Sequence, residues 1–307
     1  FIMITSGVAL LFFVAVIASV IIVRKVFHHG RTGSVVHYDD FPSKFVVPRP
    51  VEVWLPEGYD PLSSERYPVV YMNDGQFLFL GSHSWYKWTP WNWNVDLIMP
   101  RMIREQNIRA AIVVAPWMLP NKGRRRNEYM PQKPITEEVG RLLEANNSDL
   151  KYERLNSDNY LKFIVEELKP YIDKTYQTRP EQENTFMMGS SMGGLISSYA
   201  ISEYSDVFGG AACMSTHWGD AQGAVLEWYQ NHWPEAGSNR LYFDFGTESL
   251  DAGYEPYQQV MDKIMQSKGY QEDIDWVTRK FPGASHLPSA WRDRLHIPLE
   301  FLLGTDK

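Results

Sequence analysis

Cysteine is almost missing. Cys213 is the single one in 307 residues, so no disulfide can form within the chain. It sits in "GGAACM", the setting of a small buried residue. A disulfide scaffold and a cysteine-rich zinc site are both excluded. Positive charge is short as well. Lys and Arg number 30 against 37 Asp and Glu, a net charge of −7. Nucleic-acid binders need a basic face, so no nucleic-acid partner is expected. The one basic run, Arg124-Arg125-Arg126, is followed by Glu128 and reads as a solvated loop. The chain contains no H-E-x-x-H and no tight His/Asp spacing, so neither a metal nor a cofactor is expected. Internal repeats are also missing.

Hydrophobic residues make up 44% of the chain and charged residues 22%, enough to build a core without staples. Residues 1–23 carry no charge, and Arg24 and Lys25 close the run. At about 1.5 Å per residue a helix of this length crosses a bilayer core of about 30 Å. "AVIASV" is a poor cleavage site, so residues 1–25 are expected to be an uncleaved transmembrane anchor in the lipid bilayer. Residues 26–40 read as a polar tether, and residues 41–307 as the main domain. The charges after the span favour a cytoplasmic domain, but residues ahead of Phe1 would also bear on orientation, so the side stays open.

The domain opens with "RPVEVWLP", an alternating strand pattern. Continuous apolar runs follow: "YPVVYMND" (67–74), "IRAAIVVAP" (108–116), "ENTFMMG" (183–189), "FGGAACMS" (208–215) and "RLYFDFG" (240–246), with a weaker run at 275–283. Such runs mark strands covered on both faces. Helical spacing falls between them, at 157–176, 192–204, 255–269 and 288–304. Ser157 or Asp158 can cap the first of these, Gly269 can close the third, and Pro298 should bend the last. Alternating strands and helices predict an α/β fold with a doubly wound, mostly parallel sheet. The polar stretch at about 117–156 is longer than an ordinary connection and reads as an irregular insertion beside the site.

"MMGSSMGGLISSYA" carries the chemistry. Ser191 lies in the G-x-S-x-G pentapeptide Gly189–Gly193, with an apolar strand leading in and a helix leading out. That setting is the one a nucleophile elbow requires. The pentapeptide alone is weak; its context makes it specific. A serine hydroxyl needs a base, and on this fold class the chain order is Ser, then Asp or Glu, then His. His286, in the loop "FPGASHLPSAW" after the last strand, meets that order. The acid should lie in "GTESLDAGYEP", where Glu248 and Asp251 are equal candidates. The Met192 N–H, at a helix N-terminus, suits a developing oxyanion.

Over residues 41–304 the chain resembles the esterase family of α/β-hydrolases. That branch includes enterobactin-type siderophore esterases, feruloyl and acetylxylan esterases, and S-formylglutathione hydrolase. The matching stretches are "RPVEVWLPEGYD", "YPVVYMNDGQFLF", "EYMPQKP", "GSSMGGLISSYA", "STHW", "LYFDFGTESLDAGYEPYQ" and "FPGASHLPSAWRDRL". The resemblance implies an α/β-hydrolase fold; the transmembrane helix expected ahead of it is not a fixed feature of that family. It implies Ser191 as nucleophile, His286 as base and Asp251 as acid, with Glu248 the alternative, and an oxyanion N–H from Gln76 or its neighbour. Two departures stand out. Asn73 replaces the usual histidine before "DGQ", and His286 lies in Ser-His-Leu-Pro rather than between acidic residues. The expected activity is hydrolysis of a small-molecule or glycan ester. An acyltransferase with the same residues and a catalytically silent, membrane-tethered binding module are the alternatives. Candidate substrate contacts are Trp85 in "SWYKWTPWNWN", Arg126 and Tyr129 in the insertion, and His217 and Trp218 after a strand end.

Overall fold

The structure, a computed structural model, describes residues 22–25, 32–119, 124–146, 150–221, 223–237 and 239–305. Nine strands form one sheet: β1 (Ile22–Lys25), β2 (Ser34–Phe41), β3 (Arg49–Leu55), β4 (Val69–Met72), β5 (Ile112–Pro116), β6 (Thr185–Ser190), β7 (Gly210–Met214), β8 (Arg240–Glu248) and β9 (Trp276–Ser285). Their order is β1-β2-β3-β5-β4-β6-β7-β8-β9. Strands β1, β2, β3 and β5 pair antiparallel, and all pairs from β5 through β4 to β9 are parallel.

Alternation of side chains explains why the central strands read as unbroken apolar runs. Ile112 and Val114 join one core while Val113 and Ala115 join the other. Val69 and Tyr71 likewise separate from Val70 and Met72. With period 2, a strand covered on both faces must be apolar at every position. One core packs Leu161, Ile164, Leu195 and Met261, and the other Met99, Trp291, Leu299 and Leu302. The sheet is therefore wound on both faces, and its parallel strands point their C-terminal ends to one edge.

Two assignments are corrected at the other side of the sheet. Residues 34–40, expected as tether, belong to β2, which pairs with β3 through Val35–Trp54 and His37–Glu52. Its polar residues had hidden it, but His37 is buried against Glu52 and the strand needs no apolar alternation there. Residues Ile22–Lys25, expected as the end of a membrane span, form β1 antiparallel to β2. The rest of the expected span, residues 1–21, lies outside the described residues. Among the described residues no helix is long and apolar enough to cross a membrane.

The expected helices are present with internal detail. Residues 157–175 are helical, with a π-helical turn at Phe163–Leu168. Neither Ser157 nor Asp158 caps this helix; its N-cap is Asn156, without a side-chain bond. Glu255–Ser267 closes on Gly269, whose φ of +85° suits glycine, with Tyr270 N–H donating to Met265 O at 3.1 Å. The last segment is two helices, Pro288–Arg294 and His296–Leu303, broken at Leu295 rather than at Pro298. The insertion is more regular than expected, with helices Arg124–Tyr129 and Glu137–Asn146. A buried two-pronged ion pair fastens it, with Arg49 Nη1 and Nη2 donating to Glu128 at 2.9 and 2.7 Å.

Candidate active site

Four neighbouring parallel strands end in residues with positive φ. Asp74 (φ 61°), Ser191 (57°), Ser215 (40°) and Ser249 (54°) follow β4, β6, β7 and β8. Non-glycine residues in such conformations cost roughly 1–3 kcal/mol each and cluster at functional sites. Here all four lie at one sheet edge, and their turns hold the site's chemistry.

Ser191 is the sharpest of them. With φ 57° and ψ −122° it joins β6 directly to the helix Met192–Glu203. Its N–H donates to Met214 O at 2.9 Å. A Cβ on Gly189 would stand 2.6 Å from the Gly193 backbone, so the turn excludes any side chain there. Gly193 is less constrained, since its nearest neighbour would be the Asp74 carboxylate at 3.2 Å. Asn73 locks the turn from β4. Its Nδ2 reaches Met188 O, Gly193 O and Ser197 Oγ at 3.1–3.3 Å, and its Oδ1 accepts from Tyr160 OH at 2.7 Å. The asparagine that departs from the family pattern thus works as a brace.

His286 links two strands' loops. Its Nε2 lies 2.9 Å from Ser191 Oγ and its Nδ1 2.5 Å from Asp251 Oδ1. Of the two acid candidates only Asp251 reaches the ring. Glu248 ends β8, paired beside Ser285, with its side chain exposed. Asp251 is 1% exposed, and its Oδ2 accepts from Ser215 Oγ at 2.6 Å and Gly246 N–H at 2.7 Å. Burial pushes its carboxyl up, but the bonds from His286, Ser215 and Gly246 outweigh this and hold it below the usual carboxylate value.

A second tier lies behind Asp251 and was not found from the sequence. Ser215 Oγ donates to Asp251 and accepts from Trp291 Nε1 at 3.0 Å and Arg294 Nη2 at 2.8 Å. One donor and two lone pairs are all a hydroxyl has, so this serine is saturated. Arg294 also grips Asp244 through Nε at 3.1 Å and Nη2 at 2.9 Å. Burial pushes the Asp244 carboxyl up, with Arg294 opposing. The one sequence signal for this tier was the charged pair Asp244 and Arg294 placed inside an apolar strand and a helix.

Ser191 and His286 open on a cavity of about 310 Å³. Phe77, Trp91, Trp93, Met118 and Trp291 supply apolar walls. Asp74 and Arg125 supply a polar wall, joined by two bonds of 2.7 Å. The Met192 and Gln76 N–H groups stand at the starts of a helix and a 3-10 turn flanking Ser191 and Asp74. Among the described residues no other group of the chain takes up either N–H. The remaining candidates are sorted by burial. Trp218 is a core residue, its Nε1 donating to Gln258 Oε1 at 2.9 Å, and does not line the cavity. Tyr129 is also buried, under the Arg125 guanidinium. Trp85 is 73% exposed, lies tilted against the Tyr86 ring and does not line the cavity. His217 and Arg126 meet on Asp220, at 3.5 and 2.5 Å, beside the His286 ring but outside the cavity wall.

Comparison with known proteins agrees with this architecture. Residues 45–296 match the esterase family described as "Putative esterase". An endo-1,4-beta-xylanase/feruloyl esterase of Xylanibacter ruminicola is 26% identical over 194 residues, which is 61% of this chain and 22% of that protein. The chain thus spans about a fifth of that relative's length. The fold is shared with a ferulic acid esterase of Anaeromyces mucronatus (TM-score 0.61, 22% identity, 91% of this chain and 92% of that one). It is also shared with an enterobactin esterase of Shigella flexneri (TM-score 0.61, 16% identity, 88% and 59%). With its family match running from β3 through the Ser191 turn and the His286 loop, the chain belongs to this esterase family.

Proposed function

We propose that this chain is a serine esterase that cleaves a carboxylic ester through Ser191, His286 and Asp251. The observation that carries the reading is His286, bridged to Ser191 at one nitrogen and to a buried carboxylate at the other. Ser191 Oγ attacks the ester carbonyl while His286 Nε2 takes its proton. Asp251 holds the ring with Nδ1 protonated and stabilises the imidazolium. The oxyanion forms against the Met192 and Gln76 N–H groups, each such donor worth about 3–4 kcal/mol of barrier. His286 then protonates the leaving alcohol. Water repeats the sequence on the acyl-enzyme and releases the acid.

The aromatic walls favour an ester carrying a flat aryl group, a substrate class in keeping with the feruloyl esterase among the relatives. Labelling by a fluorophosphonate probe tests the nucleophile. Wild type should label and Ser191→Ala should not; an unlabelled wild type would refute the reading. Adding an acceptor alcohol tests acyl transfer, which requires transesterified product to exceed free acid. We further propose that residues 1–21, which carry no charge, anchor the enzyme as a single-pass membrane protein. The chain should then stay with the membrane in alkaline carbonate, and its release would sink the anchor.

A further inference from the structure

A second buried histidine–carboxylate cluster lies on β2 and β3, three to four strand steps from β6 in the sheet order. Glu52 is fully buried, and its two oxygens are treated unequally. Oε1 accepts from Ser82 Oγ and from the His83 N–H, both at 2.9 Å, and stands 3.1 Å from His37 Nδ1. Oε2 is buried with no hydrogen-bond partner among the described residues. A bare buried carboxylate oxygen is costly and calls for a cation.

The surroundings are built for one. His37, 5% exposed, faces Glu52 directly across the β2–β3 pair. Its other nitrogen, Nε2, lies 3.1 Å from Asp39 Oδ1. With Nε2–H donating to Asp39, Nδ1 presents a lone pair toward Glu52. Between two carboxylates the ring is thus either an imidazolium that donates to both or a neutral ligand with a cation between Nδ1 and Glu52. His83 brings a third donor, its Nδ1 3.9 Å from Glu52 Oε1 and its ring centroid 4.4 Å from that of His37. One ligand atom from each of the three residues falls within 4.8 Å of the others. Metal bonds of about 2.0–2.2 Å put tetrahedral neighbours roughly 3.3–3.6 Å apart, within reach of these spacings.

We propose that His37, Glu52 and His83 bind a divalent transition metal ion of the Zn²⁺ or Co²⁺ type. Two imidazoles and one carboxylate suit these ions; Mg²⁺ and Ca²⁺ take oxygen ligands. The fourth position goes to solvent on the side of His83, whose side chain is 24% exposed. Asp39 serves as the carboxylate that orients a metal-bound imidazole through its other nitrogen. The ion's role is to fasten a loop. His83 opens the segment that runs to Trp91 and Trp93 in the cavity wall, and the ion ties it to the sheet. Ligands from three separate segments left no short spacing for sequence reading to find. The site takes no part in the Ser191 reaction, so its test is independent of activity.

Full-length protein is stripped with EDTA and titrated with Co²⁺ alone, then with Zn²⁺ alone. Co²⁺ should give the visible bands of a tetrahedral ion at one per chain, Zn²⁺ should displace it, and Zn²⁺ should raise the melting temperature. His83→Ala, at a partly exposed position, should abolish the bands while far-ultraviolet circular dichroism stays unchanged. Asp39→Asn should weaken Zn²⁺ binding roughly 10–100-fold. The double variant His28→Ala/His29→Ala should keep the bands. Three results would overturn the site: no bands at millimolar Co²⁺, bands that survive His83→Ala, or bands lost with His28 and His29. A protonated His37 imidazole seen by NMR and unchanged by Zn²⁺ would also overturn it, leaving a simple ion pair.

Discussion

His286 and His37 each sit against a fully buried carboxylate, and what differs is the group on the second ring nitrogen. His286 has Asp251 on one side and the hydroxyl of Ser191 on the other. His37 has Glu52 on one side and a second carboxylate, Asp39, on the other. A ring between a carboxylate and a hydroxyl can pass a proton along, because the hydroxyl both gives and takes. Between two carboxylates there is nothing to deprotonate, so the ring is held as a cation or as a cation's ligand. The same residue types would therefore serve the proposed esterase as a proton shuttle and the proposed metal site as a fastening point.

The surest way to break the first pair is to remove the base. His286→Ala should lower kcat about 10⁶-fold, as loss of a member of such a unit does elsewhere. A variant with near-normal hydrolysis would remove His286 from the mechanism. Asp251→Asn keeps the shape but favours the wrong ring tautomer, and should cost roughly 10⁴ in kcat with KM little changed. Glu248→Gln, tested in parallel, should leave the rate within about twofold of wild type, since Glu248 does not touch His286.

Arg294→Met strands the buried Asp244 and removes a bond from Ser215. Loss of a partner to a buried charge typically costs about 3–5 kcal/mol, and urea unfolding should report it. A second change, Asp244→Asn, should recover part of that stability. The Asp251 carboxyl allows a smaller, pH-resolved test. Its folded value is lowered. The stability it adds is thus present above the unfolded value of about 3.9 and is lost as pH falls through the folded value. The unfolding free energy of wild type over Asp251→Asn should be largest near neutrality and shrink on acidification; a gap that grows would reverse the sign. Smallest of all, Trp85→Ala should change kcat/KM less than twofold, while Trp291→Ala, in the cavity wall and bonded to Ser215, should change it more.

Legibility followed burial and locality. The central strands could be read because both faces are covered and every position had to be apolar. Ser191 could be read because its turn is local, with glycine at Gly189 forced by contact with Gly193. His286 followed from chain order. Strands β1 and β2 could not be read: β1 continues the apolar run taken for a membrane span, and β2, paired on both sides, carries polar residues whose partners lie across the sheet, as His37 has Glu52. Trp218, beside a strand end, and Tyr129, in the insertion, are aromatic residues that a pocket or the core takes equally well, and the structure buries both.

By itself the sequence determined the alternation of strands and helices, the strained serine turn and the histidine that follows it. The first two are properties of neighbours along the chain, and the third followed from chain order. Only the tertiary structure decided which carboxylate meets His286. Glu248 ends β8 and Asp251 follows three residues later in the next turn; the chain turns at Ser249, with its positive φ, leaving Glu248 at the surface and Asp251 under the ring. It alone also joined Ser215, Arg294 and Asp244 behind Asp251, and His37, Glu52 and His83 across the far strands. Such groups share no spacing in the chain and meet because a sheet brings distant segments side by side.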